Sequence, residues 1–307
     1  MSESHKGHSH GRSHLQGHKR ALTLALVISS GILVLEVAGS LMSGSLALLA
    51  DAGHMLTDVA GLLLALLTSR LISRPVTDSH TWGLRRLEVL SAALQALLLL
   101  GVGTFVAIEA IRRLFEPGAV EPGLMVAFGV TALLGNSVSI ISLSRLEKGN
   151  MNTRAALLEV INDALGAVAV IVGGVTILVT GWVPADALVS LLIGLLILPR
   201  SWKLLRETVH VLLEATPANI AIEVLREHIL EIPRVLAIHD IHVSLVGTGL
   251  PVLTAHITVD DSCFTDGHLV ELLPKVQECF KDHFDVTHST VQFEPQSHSR
   301  GEHKLHE

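Results

Sequence analysis

Six long apolar segments in the first two-thirds of the chain restrict what it can fold into. They cover residues 21–42, 46–72, 88–111, 123–143, 155–180 and 183–199. An α-helix needs about 20 largely apolar residues to cross a bilayer, and lipid-exposed backbone is satisfied only in helices or closed barrels. The connections, such as Ser43-Gly44 and Gly181-Trp182, are short, which makes neighbouring helices antiparallel. The sequence therefore predicts an all-α, six-helix membrane domain over residues 21–200.

The basic residues between these segments are distributed unevenly. Fourteen Lys and Arg residues lie on the side of the N-terminus, and only Arg112 and Arg113 lie in the connections on the other side. Since the cytoplasmic loops of membrane proteins carry the excess of Lys and Arg, both termini are predicted to be cytoplasmic. The chain shows neither a secretory signal peptide nor a long histidine-rich loop, so we expect a multi-pass protein of a bacterial inner (plasma) membrane.

Composition excludes several other classes of protein. Charged residues make up 17% of the chain, whereas soluble domains carry about 25%. The formal net charge is −7 and no basic stripe with interleaved aromatic residues is present, so a nucleic-acid partner is not expected. The two cysteines, Cys263 and Cys279, are too far apart for a Cys-x-x-Cys metal site. Histidine is the unusual residue type, and five histidines make residues 1–20 a His-rich cytoplasmic leader.

The last hundred residues have the periodicity of a soluble domain. A helix–strand–strand–helix–strand order is indicated by residues 218–231, 237–246, 252–260, 267–284 and 286–293. This order predicts a small α+β cytoplasmic domain over residues 207–295. The remaining residues, 296–307, are polar and are predicted to form a disordered, histidine-containing tail.

Ionisable side chains interrupt the second and fifth apolar segments. The second contains Asp51, His54 and Asp58, and the fifth contains Glu159 and Asp163. His54 and Asp58 are four residues apart, as are Glu159 and Asp163, so each pair lies on one helical face. A rise of 1.5 Å per residue places Asp58 and Asp163 roughly 12–15 Å from the cytoplasmic edge. The two pairs are therefore expected to face each other.

These carboxylates need a counter-charge. An ionised carboxylate near the bilayer centre costs on the order of 3 kcal/mol. The only Lys or Arg in these two apolar segments is Arg70, which lies near the end of the second one, twelve residues beyond Asp58. One imidazole and three carboxylates give the four ligands that zinc prefers, which predicts a divalent metal site. The alternative interpretation is that the polar groups only join helices by hydrogen bonds. Because metal ligands must be deprotonated, protons and metal compete for them, and we expect proton–metal antiport.

Three other functions explain these residues less well. A membrane metalloenzyme is not indicated, since His-Glu-x-x-His, Ser-x-x-Lys and a nucleophile elbow are all missing from the sequence. A passive cation channel is expected to bind ions weakly at several sites, and a metal sensor with a membrane anchor has no need of buried carboxylates. We therefore expect a transporter without a prosthetic group, and not an enzyme.

Several stretches resemble the cation diffusion facilitator family, zinc-transporting type. They are LLADAGHMLTDVAGLLLAL, HTWGLRRLEVLSAAL and EVINDALGAVAVIV in the membrane part, and HDIHV and HSTVQFE in the soluble part. The resemblance spans about residues 20–295. It implies a homodimer in the lipid bilayer that transports divalent cations, zinc above all, with one transport site per subunit built from the second and fifth helices. It also implies that the cytoplasmic domain has a metallochaperone-like (ferredoxin-like) fold.

The resemblance implies a transport site made of His54, Asp58 and Asp163, with Glu159 in the fourth position. Zinc-transporting members usually have a histidine where this chain has Glu159. A carboxylate is a harder ligand than imidazole and tolerates manganese, iron or cobalt better. A broader or different selectivity, for cobalt, cadmium, iron or manganese, is therefore the alternative to zinc.

A second metal site, in the soluble domain, is also implied by the resemblance. His239, His256 and His268 match positions where relatives coordinate a regulatory metal, and Glu294 offers a carboxylate. In a regular strand His239 and His242 point to opposite faces, so HDIHV is not expected to form one compact chelate. Zinc is thus expected both as the transported ion and as a regulatory ligand.

Overall fold

The computed structural model describes residues 9–144 and 151–299. Six of its helices are long and apolar enough to cross a membrane. They are α1 (Ser9–Ser43), α2 (Leu46–Ile72), α3 (Arg86–Phe115), α4 (Pro122–Ser144), α5 (Met151–Thr180) and α6 (Pro184–Leu212). The prediction of six membrane helices is confirmed. The connection between α4 and α5, predicted to be short and free of histidine, lies outside the described residues.

Helix α6 does not end where the sequence suggested. The sixth segment was predicted over residues 183–199, with Pro199 marking its inner end, but the helix continues to Leu212 with Pro199 in its interior. Proline removes one backbone donor and its ring crowds the preceding turn. Ser201, which is buried beside the proline, donates its hydroxyl to the carbonyl of Ile197 at 2.8 Å. The extension places Arg200 within a helix instead of in a loop.

The chain forms two compact units. One comprises the residues up to Leu64 together with Leu94–Leu204, and the other comprises Ala65–Ala93 with the residues from Leu205 onward. In the first unit, α4 packs closely against both α1 and α5. A Cβ atom at Gly39 of α1 would come within 2.6 Å of the Phe128 ring on α4, so glycine is needed for this approach. Small residues at such positions are typical of packed membrane helices.

One buried carboxylate fixes the start of α2. Asp186, in the first turn of α6, accepts a hydrogen bond from the Ser45 hydroxyl at 2.6 Å. It also accepts bonds from the backbone N–H groups of Leu46 at 2.8 Å and Ala47 at 3.1 Å. The first N–H groups of a helix have no partner within it, and a carboxylate there satisfies them and complements the helix dipole. Asp186 therefore positions the helix that carries His54 and Asp58.

The second unit contains an α+β domain with a three-stranded sheet. Its elements are α7 (Ile222–Leu230), β1 (Val235–Gly247), β2 (Leu250–Val259), α8 (Leu269–Phe284), β3 (His288–Glu294) and α9 (Gln296–Ser299), with a 3-10 turn at Asp261–Phe264. Strand β2 is central, antiparallel to β1 and parallel to β3. The predicted α+β class and the order helix–strand–strand–helix–strand are confirmed.

The core of this domain lies between the sheet and the two longer helices. Leu225 and Ile229 of α7, Ile257 of β2, and Leu272 and Phe280 of α8 are all completely buried. Apolar residues at helical spacing on α7 and α8 thus cover one face of the sheet, which leaves the other face for polar side chains.

The first residues of the predicted disordered tail are ordered. Helix α9 covers Gln296–Ser299, and the Gln296 backbone N–H donates to the Asp261 carboxylate at 3.0 Å. This bond holds the segment on the end of the sheet domain. The rest of the predicted tail lies outside the described residues, as does the first part of the predicted leader.

Candidate metal centres

Three of the predicted transport-site residues lie together in the membrane unit. His54 Nε2 is 3.5 Å from Asp58 Oδ2 and 4.0 Å from Asp163 Oδ1. One ligand atom from each residue lies within 4.8 Å of the other two. His54 and Asp58 share a face of α2 because they are one helical turn apart, and Asp163 reaches them from α5. The structure therefore brings the donors of α2 and α5 to one point, as their spacing predicts.

The donor atoms of this cluster are buried and available. Within the described chain, Asp58 Oδ2 and Asp163 Oδ1 have no hydrogen-bond partner, although buried polar atoms are nearly always paired. Tetrahedral zinc with bond lengths of about 2.0–2.1 Å would place neighbouring ligand atoms roughly 3.3 Å apart. The observed separations of 3.5 and 4.0 Å are slightly longer. A small divalent cation would satisfy both carboxylates and draw the three donors together.

Glu159 lies outside this cluster. Its Oε1 is 3.4 Å from Arg200 Nη2 on α6, and 38% of its side chain is exposed. Sequence reasoning missed Arg200 because that residue follows Pro199, which had suggested the end of the helix. The predicted fourth ligand thus has a basic partner instead of a metal-facing position in this structure.

Two further carboxyl groups lie deeper in the same unit. Asp51 of α2 is 3% exposed and Glu36 of α1 is 1% exposed. A Cβ atom at Gly166 of α5 would come within 2.6 Å of Asp51 Oδ1, so this glycine makes room for the carboxyl group. Sequence reasoning noted Asp51 but missed Glu36, although the signal was present: a single acid inside the first apolar segment.

A second cluster lies on the sheet of the soluble domain. Glu294 Oε1 is 2.9 Å from His256 Nδ1, and Glu294 Oε2 is 3.4 Å from His239 Nε2. His239 of β1 is paired with His256 of β2, and Glu294 lies on β3 opposite Thr258. The ligand atoms of the three residues lie within 4.8 Å of one another. The structure therefore brings together three of the four residues implied for this site.

The fourth residue, His268, is held elsewhere. It precedes α8, and its Nδ1 is 3.6 Å from Glu271 Oε2. The backbone N–H of His268 donates to Asp266 at 2.9 Å, and this bond together with the Arg234 guanidinium lowers the pKa of the Asp266 carboxyl. His268 therefore belongs to the start of α8 and not to the cluster on the sheet.

Strand β1 is irregular at the HDIHV stretch, and this changes the environment of His242. A register shift falls between His239 and His242, and Asp240 has a φ of +50°, a left-handed conformation that aspartate tolerates better than most residues. Asp240 Oδ1 is 3.0 Å from His242 Nε2, and Asp240 Oδ2 is 3.9 Å from His256 Nε2. Asp240 thus links His242 to the cluster. In a regular strand, His242 would lie on the opposite face from His239.

Comparison with known proteins accounts for both units. The family described as the cation efflux transmembrane domain matches residues 22–213. The family described as the cation efflux protein cytoplasmic domain matches residues 217–296. Together these matches cover the membrane helices and the three-stranded domain.

Three bacterial relatives are similar over nearly their whole length. Zinc transporter ZitB of Escherichia coli is 42% identical, with 94% of this chain and 92% of that protein covered. The metal cation efflux system protein CzcD of Cupriavidus metallidurans is 39% identical, with 94% and 90% covered. A cadmium, cobalt and zinc/H(+)-K(+) antiporter of Bacillus subtilis is 32% identical, with 94% and 93% covered. The chain therefore belongs to the cation efflux family, and it is a multi-pass membrane transporter of divalent metal cations, not an enzyme.

Proposed function

We propose that this protein exports zinc from the cytoplasm in exchange for protons, with His54, Asp58 and Asp163 as ligands of the transported ion. The observation that carries the proposal is that these three side chains, from α2 and α5, come together at one point. One carboxylate oxygen of Asp58 and one of Asp163 have no hydrogen-bond partner among the described residues. The names of the relatives support zinc as the ion and protons as a counter-ion.

The charge of the site supports exchange for protons. A neutral His54 with ionised Asp58 and Asp163 carries two negative charges, which one divalent cation balances. Each carboxylate left bare in the bilayer would cost on the order of 3 kcal/mol. When zinc leaves, protons are the available cations that bind the same atoms. Zinc from one side and protons from the other therefore alternate at one set of ligands.

Glu159 enters the proposal as a fourth ligand that competes with Arg200. The carboxylate is 3.4 Å from the guanidinium, and it is one helical turn from Asp163 on the same face of α5. Binding a divalent cation would draw Glu159 towards the cluster and away from Arg200. A carboxylate in this position accepts cobalt or manganese more readily than imidazole does, so the selectivity proposed is broader than zinc alone.

The cluster on the sheet is proposed as a regulatory zinc site. His239, His256 and Glu294 provide two imidazoles and a buried carboxylate, a donor set typical of zinc. His268 is not included, since its imidazole lies beside Glu271. We further propose a homodimer in a bacterial inner membrane with both termini cytoplasmic. The match to the cytoplasmic domain of cation efflux proteins and the bacterial relatives support this arrangement.

Transport in proteoliposomes tests the main proposal. The wild type and Asp163→Asn are compared for zinc flux with and without an imposed pH gradient, and Asn162→Ala is the matched control, because Asn162 is the exposed neighbour in the chain. Loss of one ligand is expected to reduce zinc affinity by at least about 100-fold, and the control is expected to transport normally. Zinc flux that follows the membrane potential and ignores the pH gradient would indicate a passive channel. Normal flux by Asp163→Asn would refute the assigned site.

A further inference from the structure

The acid pair formed by Glu36 and Asp51 is not explained by the metal site. The two carboxyl groups lie next to each other, on α1 and α2, and both side chains are almost completely buried. Neither Glu36 oxygen has a hydrogen-bond partner among the residues that the structure describes. Asp186, by contrast, is also a buried acid but accepts three hydrogen bonds. A buried carboxyl group without a donor is costly, and it therefore indicates a role beyond packing.

The pair lies one helical turn from the metal ligands. Asp51 precedes His54 by three residues, which corresponds to about 4.5 Å along α2. On α5, Gly166 packs against Asp51 and follows Asp163 by three residues. Both helices thus place the pair between the metal ligands and the end of the bundle where α1 turns into α2. In the proposed topology this is the outer end.

The charges around the pair leave a proton as its counter-ion. From α2 the neighbouring titratable group is His54, and from α5 it is Asp163, whose charge acts on Glu36. The buried face of α4 offers only the neutral Asn136 and Ser139. The guanidinium of Arg200 pairs with Glu159, which precedes Asp163 by one turn on α5, whereas Gly166 beside Asp51 follows it. Two adjacent carboxylates in a buried site repel each other when both are ionised, so the pair is expected to share at least one proton.

We propose that the Glu36–Asp51 pair is a proton-binding site that exchanges one proton as zinc binds and leaves, and this inference rests on the proposed antiport. With zinc bound, the pair holds one shared proton and one negative charge. When zinc leaves, the pair takes up a second proton from the outer side and becomes neutral. Two positive charges about 10 Å away change the proton affinity of such a group on the order of a hundredfold at an effective dielectric constant of 20, which is enough to couple the two events.

The proton count on zinc binding tests this proposal. Full-length protein in detergent is titrated with zinc by calorimetry in buffers of different ionisation enthalpy, which gives the number of protons released per zinc bound. The double variant Glu36→Gln/Asp51→Asn keeps the shape of both side chains and removes both acids. It is expected to release about one proton fewer per zinc. Because the coupling is reciprocal, its zinc affinity should fall by about the same hundredfold at high pH, where the wild-type pair is charged, and by less as the pH is lowered and the wild-type pair becomes neutral. Ser40→Ala is the control, because Ser40 is buried on α1 and bonds only to Val37 O of its own helix.

The other outcomes overturn the proposal in distinguishable ways. An unchanged proton count in the double variant would show that the pair is structural. A loss of zinc affinity that is equally large at every pH would show that the pair belongs to the metal site. If the double variant does not fold, infrared difference spectra of the wild type and Asp51→Asn replace it. The wild type must lose a protonated-carboxyl band when zinc binds, and Asp51→Asn must alter that band. A wild type that releases no protons and ignores a pH gradient would instead refute the antiport itself.

Discussion

Asp186, the buried cap of α2, makes a contribution to the free energy of unfolding that can be worked out from its hydrogen bonds. Asp186 is 1% exposed and accepts three hydrogen bonds, one from the Ser45 hydroxyl and two from backbone N–H groups. Hydrogen bonds to a charged group contribute about 1.5–3 kcal/mol each, and a buried donor left unpaired costs about 1–3 kcal/mol. Allowing for partial compensation, Asp186→Ala is expected to destabilise the folded protein by about 4–6 kcal/mol.

The isosteric variant separates charge from shape. Asp186→Asn keeps one oxygen but turns an NH2 group towards a donor, so it should lose at least one bond and about 2 kcal/mol. For a chain of 307 residues that corresponds to a fall in Tm of roughly 3 °C. Ser190→Ala is the matched control, because Ser190 is buried on the same helix and its hydroxyl donates only to the backbone carbonyl of Asp186. That change is expected to cost about 1 kcal/mol or less.

Thermal unfolding of the purified protein measures these differences in stability. The unfolding is monitored as the loss of the monodisperse protein peak. A double-mutant cycle between Ser45→Ala and Asp186→Asn should show a coupling of about 1–2 kcal/mol, since the two side chains bond directly. Zinc affinity of the folded fraction should remain close to that of the wild type. A variant at Asp186 that keeps its Tm but loses zinc would show that the residue is a ligand and not a cap.

Three further predictions concern the charged groups of the two units. Arg200→Gln frees Glu159 from its ion pair, and we expect tighter binding of zinc and cobalt, by severalfold in calorimetry; unchanged affinity would mean that Glu159 does not reach the ion. Glu294→Gln removes the only carboxylate of the sheet cluster, and the zinc stoichiometry measured by equilibrium dialysis should fall by one per chain. Asp266 has a lowered pKa, because the His268 N–H and a guanidinium stabilise its ionised form. Its contribution to stability is therefore present above the unfolded pKa of about 4 and is lost as the pH falls through the folded value. The Tm difference between the wild type and Asp266→Asn should accordingly shrink from pH 7 to pH 3, and a constant difference would contradict this assignment.

The membrane helices and half of the proposed transport site follow directly from local rules in the sequence. The bounds of α2 coincide with its apolar segment, and helical periodicity alone places His54 and Asp58 on one face. The similar depth of Asp58 and Asp163 along their two helices was sufficient to predict that Asp163 lies close to His54 and Asp58. The end of α6 could not be predicted in the same way, because the rule that proline ends a helix is statistical and tertiary packing overrides it.

The partners of the acids depend on contacts that no local pattern specifies. Glu159 and Arg200 are 41 residues apart, and their ion pair exists only because α6 continues through Pro199. The link from Asp240 to His256 likewise depends on a bulge in β1, whereas strand alternation assumes a regular ladder. The sequence therefore predicts which side chains share a face of one helix. It does not predict which other helix or strand supplies the partner of a charged side chain.

The partners of the buried acids distinguish structure from transport in this bundle. Asp186 is satisfied by fixed N–H and O–H donors, so its charge is permanently compensated and no exchange is possible there. Glu159 has a guanidinium that can release it, which allows a change of partner. Asp58 Oδ2 and Asp163 Oδ1 have no hydrogen-bond partner among the described residues, and a mobile cation would compensate their charge. Since a transported ion has to leave, the sites that lack a permanent partner are the ones to which we assign the proposed exchange of zinc and protons.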